Sequence, residues 1–181
     1  GILKHKMKRI VGIVSCVAAA LLLAACEKEG PEFFKGNYTF KTSGSVSAEL
    51  SIENTDGSSS STLDLDLETE QGQMDILKTG SGDGGMIVTM NVLGGDVRSF
   101  RARAEGSSLI VEPFDTKIKL QIARHGTAII DVTASGSAKR YGNVVIFDLV
   151  YEGEGVSEIG ESTADVKICD SSVQCIAKLN D

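Results

Sequence analysis

Tryptophan is missing from this 181-residue chain, and the other aromatics are few: six phenylalanines and three tyrosines. A ligand cage built from stacked rings has little material here. Of the two histidines, His5 sits among basic residues near the start, which leaves His125 beside Arg124 in a turn-like stretch. A histidine base needs a nearby Ser or Cys and an orienting acid to drive nucleophilic chemistry. The sequence holds no G-x-S-x-G elbow, no H-E-x-x-H pair and no C-x-x-C spacing. These absences predict a protein without enzymatic activity, cofactor or metal. No stretch after residue 25 has a convincing helical period, which argues against helical bundles and leaves a lipid-binding tube, which needs a long helix across its sheet, as a third choice behind a barrel and a sandwich.

What is present begins with a basic and then apolar leader. Lys4, Lys6, Lys8 and Arg9 precede the apolar run Ile10 to Leu23, the pattern of a secretory signal. That run is shorter than the roughly 20 residues that span a bilayer. Leu23-Ala24-Ala25-Cys26 closes it and resembles the lipobox of bacterial lipoproteins. The resemblance implies cleavage before Cys26, and a diacylglycerol thioether plus an N-acyl chain on that cysteine. Ile13-Val14-Ser15-Cys16 fits the same pattern loosely, but cutting there strands Val17 to Ala25 on the mature chain. Met7 looks like the natural start, so residues 1–6 read as an extension. Residues 1–25 are thus expected to be a signal peptide and 26–32 a flexible charged tether, with Gly30 and Pro31 breaking any periodicity. The acidic residues soon after Cys26 resemble surface-export signals of Bacteroidota lipoproteins.

The leader carries four of the eighteen basic residues and none of the acidic ones, leaving fourteen basic against twenty-five acidic residues, a net of −11. Nucleic acid, which needs a basic surface to release its counterions, is excluded as a partner. Residues 33–181 suffice for one domain with one core.

Through that domain the hydrophobic period is two. Tyr38 and Phe40 alternate with Asn37, Thr39 and Lys41; Ala48, Leu50 and Ile52 with Glu49, Ser51 and Glu53; Leu63, Leu65 and Leu67 with Asp64, Asp66 and Glu68. Asn54-Thr55-Asp56-Gly57 and four serines predict a turn, Gly80 to Gly85 a hairpin tip, and Pro113 a strand end or edge. Later runs over 97–104, 109–112, 117–123, 127–135 and 144–151 bring the total to eight to ten short strands. The expected fold is all-β: an antiparallel meander closed into an up-and-down barrel or strongly curved roll, because closure removes exposed edges. A β-sandwich is the alternative. The stretch Ala134-Ser135-Gly136-Ser137-Ala138-Lys139-Arg140-Tyr141-Gly142-Asn143, with its following apolar strand and Tyr151-Glu152-Gly153, resembles the C-terminal hairpin of calycin-like lipoproteins of Bacteroidota. That resemblance implies a lipocalin-like β fold over roughly residues 33–155, with no assigned chemistry.

Candidate sites are sparse. Asp64, Asp66 and Glu68 share a face, yet a hard cation needs six to eight oxygens, which one strand does not supply. Arg98, Arg101 and Arg103, with Lys117 and Lys119, are the one basic concentration. Alternation sets Arg101 and Arg103 together as a possible anion or partner contact, with Arg98 on the other face beside Phe100 and Ala102. Cys169 and Cys175 are expected to form a disulfide outside the cytoplasm, pinning a terminal hairpin; free thiols or a metal pair are the alternatives.

Two functions fit. One is a lipoprotein anchored in the outer membrane through acylated Cys26, on its periplasmic face or at the cell surface, that holds a small apolar or amphipathic ligand inside its barrel. The other is an envelope scaffold or protein-interaction module. Small barrels are often filled by their own side chains, so interior volume decides between them.

Overall fold

Ten strands and one helical turn make up the described residues of the computed structural model, which are 29–54, 57–80, 84–122, 126–159 and 161–181. The leader with Cys16, the lipobox cysteine Cys26, and His125 lie outside them. In chain order the elements are α1 (Pro31–Phe34), β1 (Gly36–Asn54), β2 (Gly57–Asp66), β3 (Glu70–Lys78), β4 (Gly85–Val92) and β5 (Val97–Glu105). There follow β6 (Ser108–Gln121), β7 (Thr127–Tyr141), β8 (Val144–Glu152), β9 (Glu154–Ile159) and β10 (Ser162–Leu179). All the pairings are antiparallel. No helix among the described residues is long and apolar enough to cross a membrane.

The sheet order is β2-β1-β3-β4-β5-β6-β7-β8-β10-β9, and a further pairing of β1 with β10 closes strands β1, β3 to β8 and β10 into a ring. β1 and β10 run antiparallel from Tyr38↔Leu179 to Ile52↔Ala164. Both outlast the ring. The far half of β1 pairs with β2, the near half of β10 pairs with β9, and these four strands pack opposite the protruding β6–β7 hairpin. The expected curved, closed antiparallel sheet is therefore what forms, with β2 and β9 as its two free ends.

Two pairs of short runs turn out to be single strands. Residues 36–42 and 47–53 join in the 19-residue β1, and 109–112 joins 117–121 in β6, while Ala123 lies outside the described residues. Gly44 lets β1 bend without breaking. At φ +148° it sits where β1 exchanges β3 for β2 as its neighbour, a conformation that side chains disfavour. Pro113 plays the corresponding part in β6. It lies in the bulge between Val111 and Phe114, has no N–H to donate, and marks where the ladder to β5 stops. The serine run 58–61, expected as turn, is strand β2, exposed throughout. Leu65 and Leu67 are buried as expected, but Leu63 is 45% exposed, on an edge strand whose one ladder is with β1.

The C-terminal segment corrects a second expectation. Cys169 and Cys175 are free thiols on one strand, the first exposed and the second buried. Six residues of strand separate their Cα atoms by about 20 Å at 3.3 Å per residue, far beyond the reach of a disulfide. No terminal hairpin is pinned there. Instead β10 crosses the whole molecule as the seam of the ring.

One end of the ring is closed by α1. Phe34 and Tyr38 are fully buried, and the Tyr38 hydroxyl donates to the Phe34 carbonyl at 2.7 Å. Gly30 and Pro31, expected within the flexible tether, are docked: the Gly30 N–H donates to the Gly106 carbonyl at 3.1 Å. Arg140 donates to the Phe33 carbonyl and lies over the Phe33 ring, 5.1 Å from its centroid.

Candidate functional site: a side cleft over a filled interior

Alternation turns one side chain in two into the ring. Phe40, Met74, Val88, Phe100, Phe147 and Tyr151 are among those that meet there, all buried. Phe100 stacks on Phe114, with centroids 4.5 Å apart and planes within 6°, and stands edge-on to Phe147 at 6.3 Å. The space left between Thr42, Met74, Met90, Phe114, Tyr151 and Cys175 is about 10 Å³. That is at the lower limit for one water molecule. The ring is a packed core.

Polar groups nevertheless border this void. The Thr42 hydroxyl is buried with no hydrogen-bond partner, and the Cys175 thiol beside it, a weak partner, falls short of hydrogen-bond geometry. Burial pushes the Cys175 thiol up to about 11 and the Tyr151 phenol up to about 12. Both groups stay neutral in the fold and ionise more readily once unfolded. Stability is therefore fully present below the ordinary thiol pKa of 9.0 and declines as pH rises through the interval up to about 12. Thermal denaturation at rising alkaline pH should show this decline, and Tyr151→Phe should flatten its upper part.

Outside the void, the ring opens sideways. β5 and β6 pair only from Ala102↔Val111 to Glu105↔Ser108. Beyond the Pro113 bulge β6 follows β7 while β5 follows β4, leaving a cleft of about 590 Å³. Over Val97–Arg101 of β5 and residues 112–118 of β6 the facing edges have no strand partner among the described residues. The segment from β2 to β3 bounds the cleft: Leu67 bridges to Leu120, and the Glu68 N–H donates to the Lys119 carbonyl at 3.0 Å.

Charge and apolar surface alternate along this cleft. Arg98 and Glu70 form a part-buried ion pair at 3.1 Å that, with Thr116, separates the cleft from the void. Lys119 approaches Glu68 at 4.0 Å and Lys117 approaches Asp131 at 3.3 Å, both exposed. Three large apolar side chains line the same cleft with most of their surface in solvent: Leu93 at 75% exposure, Val97 at 67% and Ile129 at 57%. Apolar groups gathered at a polar cleft are the usual mark of a contact surface.

The basic residues grouped by sequence are thus divided by the fold. Arg98, Lys117 and Lys119 reach the cleft, whereas Arg101 and Arg103 share the outer face of β5, as alternation predicts. Arg103 is occupied by Glu105, and Arg101 stands across from Ile87. Asp64 accepts a bond from Ser47 at 2.5 Å, and Asp66 is exposed. Sequence reasoning missed Glu70 and Thr42. Arg98, in phase with inward Phe100 and Ala102, was the available signal, since an inward charge requires a partner.

The class defined by this architecture is an antiparallel β ring with a filled interior and a lateral cleft. No family model matches the chain, and no curated protein is significantly similar to it.

Proposed function

We propose that the chain is a membrane-anchored extracytoplasmic lipoprotein, non-enzymatic, held in the outer membrane by acylated Cys26, and that it binds an envelope protein through the cleft between β5 and β6. One observation carries the choice between the two expected functions. The interior offers about 10 Å³, whereas the cleft offers about 590 Å³ lined by exposed apolar and charged side chains. A small-molecule site is ordinarily a pocket of roughly 300–1,000 Å³ that encloses its ligand; the interior of this ring is far below that. A partner's extended segment suits the cleft, where unpaired strand edges offer backbone groups and Leu93, Val97 and Ile129 offer apolar contact.

A photo-activated cross-linking residue placed at Val97 or Ile129 tests this in intact cells. Adducts with another protein from both positions, and none from the equally exposed Val156, are expected. Adducts from none of the three, or the same adducts from all, would overturn the reading. The small-ligand reading retains one point in its favour, the unpartnered Thr42 hydroxyl at the void. Native mass spectrometry after mild extraction tests it: a co-purified small molecule that Thr42→Val loses would restore it, and a bare protein mass would end it.

A further inference from the structure

We infer that the α1 end of the ring lies against an anionic lipid surface while the β1–β2 and β9–β10 end points away from it. This rests on the reading that Cys26 carries the acyl chains. Gly30, four residues after Cys26, is bonded to Gly106, so the anchored residue is within about 14 Å of backbone from that end. The connections there are the approach to α1, the β3–β4, β5–β6 and β7–β8 turns, and the end of β10. The anchor therefore selects an end.

Charge selects the same one. In a mature chain with a net of −11, this end collects Lys35, Lys78, Arg103, Lys139, Arg140 and Lys178. Of the acids at this end, Glu32 and Glu105 are paired with Lys78 and Arg103, which leaves Lys35, Lys139, Arg140 and Lys178 against Glu29, Asp75 and Asp181. Lys35, Lys139 and Lys178 are exposed and in no ion pair among the described residues, and Arg140 is engaged only by backbone carbonyls and the Phe33 ring. Tyr141, 61% exposed beside the β7–β8 turn, adds the amphipathic ring favoured at membrane interfaces. At the opposite end, the four-stranded part carries Glu49, Glu53, Asp64, Glu158 and Asp165 among its acids, and Lys167 as its one base among the described residues. An anionic leaflet therefore favours the first end, where bases slightly outnumber acids, over the strongly acidic second within a Debye length.

Because the chain has no tryptophan, a single introduced one reports its own surroundings. The acylated full-length protein is reconstituted into vesicles of phosphatidylcholine and phosphatidylglycerol bearing brominated chains, with Tyr141→Trp in one sample and Val156→Trp in another. The Tyr141→Trp protein should lose most of its emission and the Val156→Trp protein should keep it. Adding Lys139→Glu and Lys178→Glu, or using phosphatidylcholine alone, should restore the Tyr141→Trp emission while the protein still floats with the vesicles. Equal quenching at both positions, no quenching at 141 in floating protein, or quenching that survives the lysine reversals would overturn the inference. Protein that fails to float overturns the anchoring reading itself, an outcome separate from the others.

Discussion

Replacing Phe147 with alanine is expected to lower the folding free energy by about 3–5 kcal/mol, the range for truncating a buried phenylalanine. Phe147 is 1% exposed, stands edge-on to Phe100 and borders a small void in the ring. Around it, Phe100 is held in register by β4, Phe114 by β7 and Cys175 by β8, so they have little freedom to collapse into the space left behind. At a few degrees per kcal/mol for a chain of this size, the melting temperature should fall by about 10 °C or more. A fall of only one or two degrees, measured by calorimetry, would mean that the interior is looser than described. The same variant opens a real cavity, so a hydrophobic dye or xenon should bind it and not the parent.

The second large effect is expected at a glycine. Gly136 has φ +148°, lies opposite Leu149 in the β7–β8 ladder, and a Cβ built there would fall 2.0 Å from the Asp148 carbonyl oxygen. Gly136→Ala combines backbone strain of about 1–3 kcal/mol with a clash against another strand's backbone. A loss on the order of 4 kcal/mol is expected, and denaturant titration measures it. Gly106→Ala is the control. It also has positive φ, at +58°, but nothing lies within 4 Å of the added methyl, so only the conformational cost of about 1–2 kcal/mol applies. Equal losses at the two positions would contradict the close approach of β7 to β8.

These two sites show what was legible in the sequence and what was not. Alternation of Leu65 and Leu67 with Asp64 and Asp66, or of Ile118 and Leu120 with Lys117 and Lys119, reports a local face, and the strand class followed from it. Closure is non-local. The pairing of Tyr38 with Leu179 joins residues at opposite ends of the chain, and no period within either strand encodes it. Bends were misread for a physical reason: Gly44 and Pro113 look like punctuation, yet each lets a strand change neighbours without ending. Cys169 and Cys175 suggested a loop because spacing alone does not distinguish a turn from an extended strand with one face buried. The cleft was the least legible feature. It exists because β5 and β6 part beyond Val111, and its charged lining draws on β3, β5 and β6, with the nonlocal Glu70–Arg98 pair as its inner wall.

A ring closed by β1 and β10 around a solid core underlies both the filled interior and the lateral cleft. Native-state hydrogen exchange reads that seam directly. Hydrogen-bonded amides along Phe40 to Leu50 and Val166 to Ala177 should exchange only through global unfolding, at one shared and highest protection, while β2 amides at Ser58 to Thr62 exchange much faster. Seam amides that exchange as fast as those of β2 would show an open sheet, and would contradict both the filled interior and the cleft as the working surface.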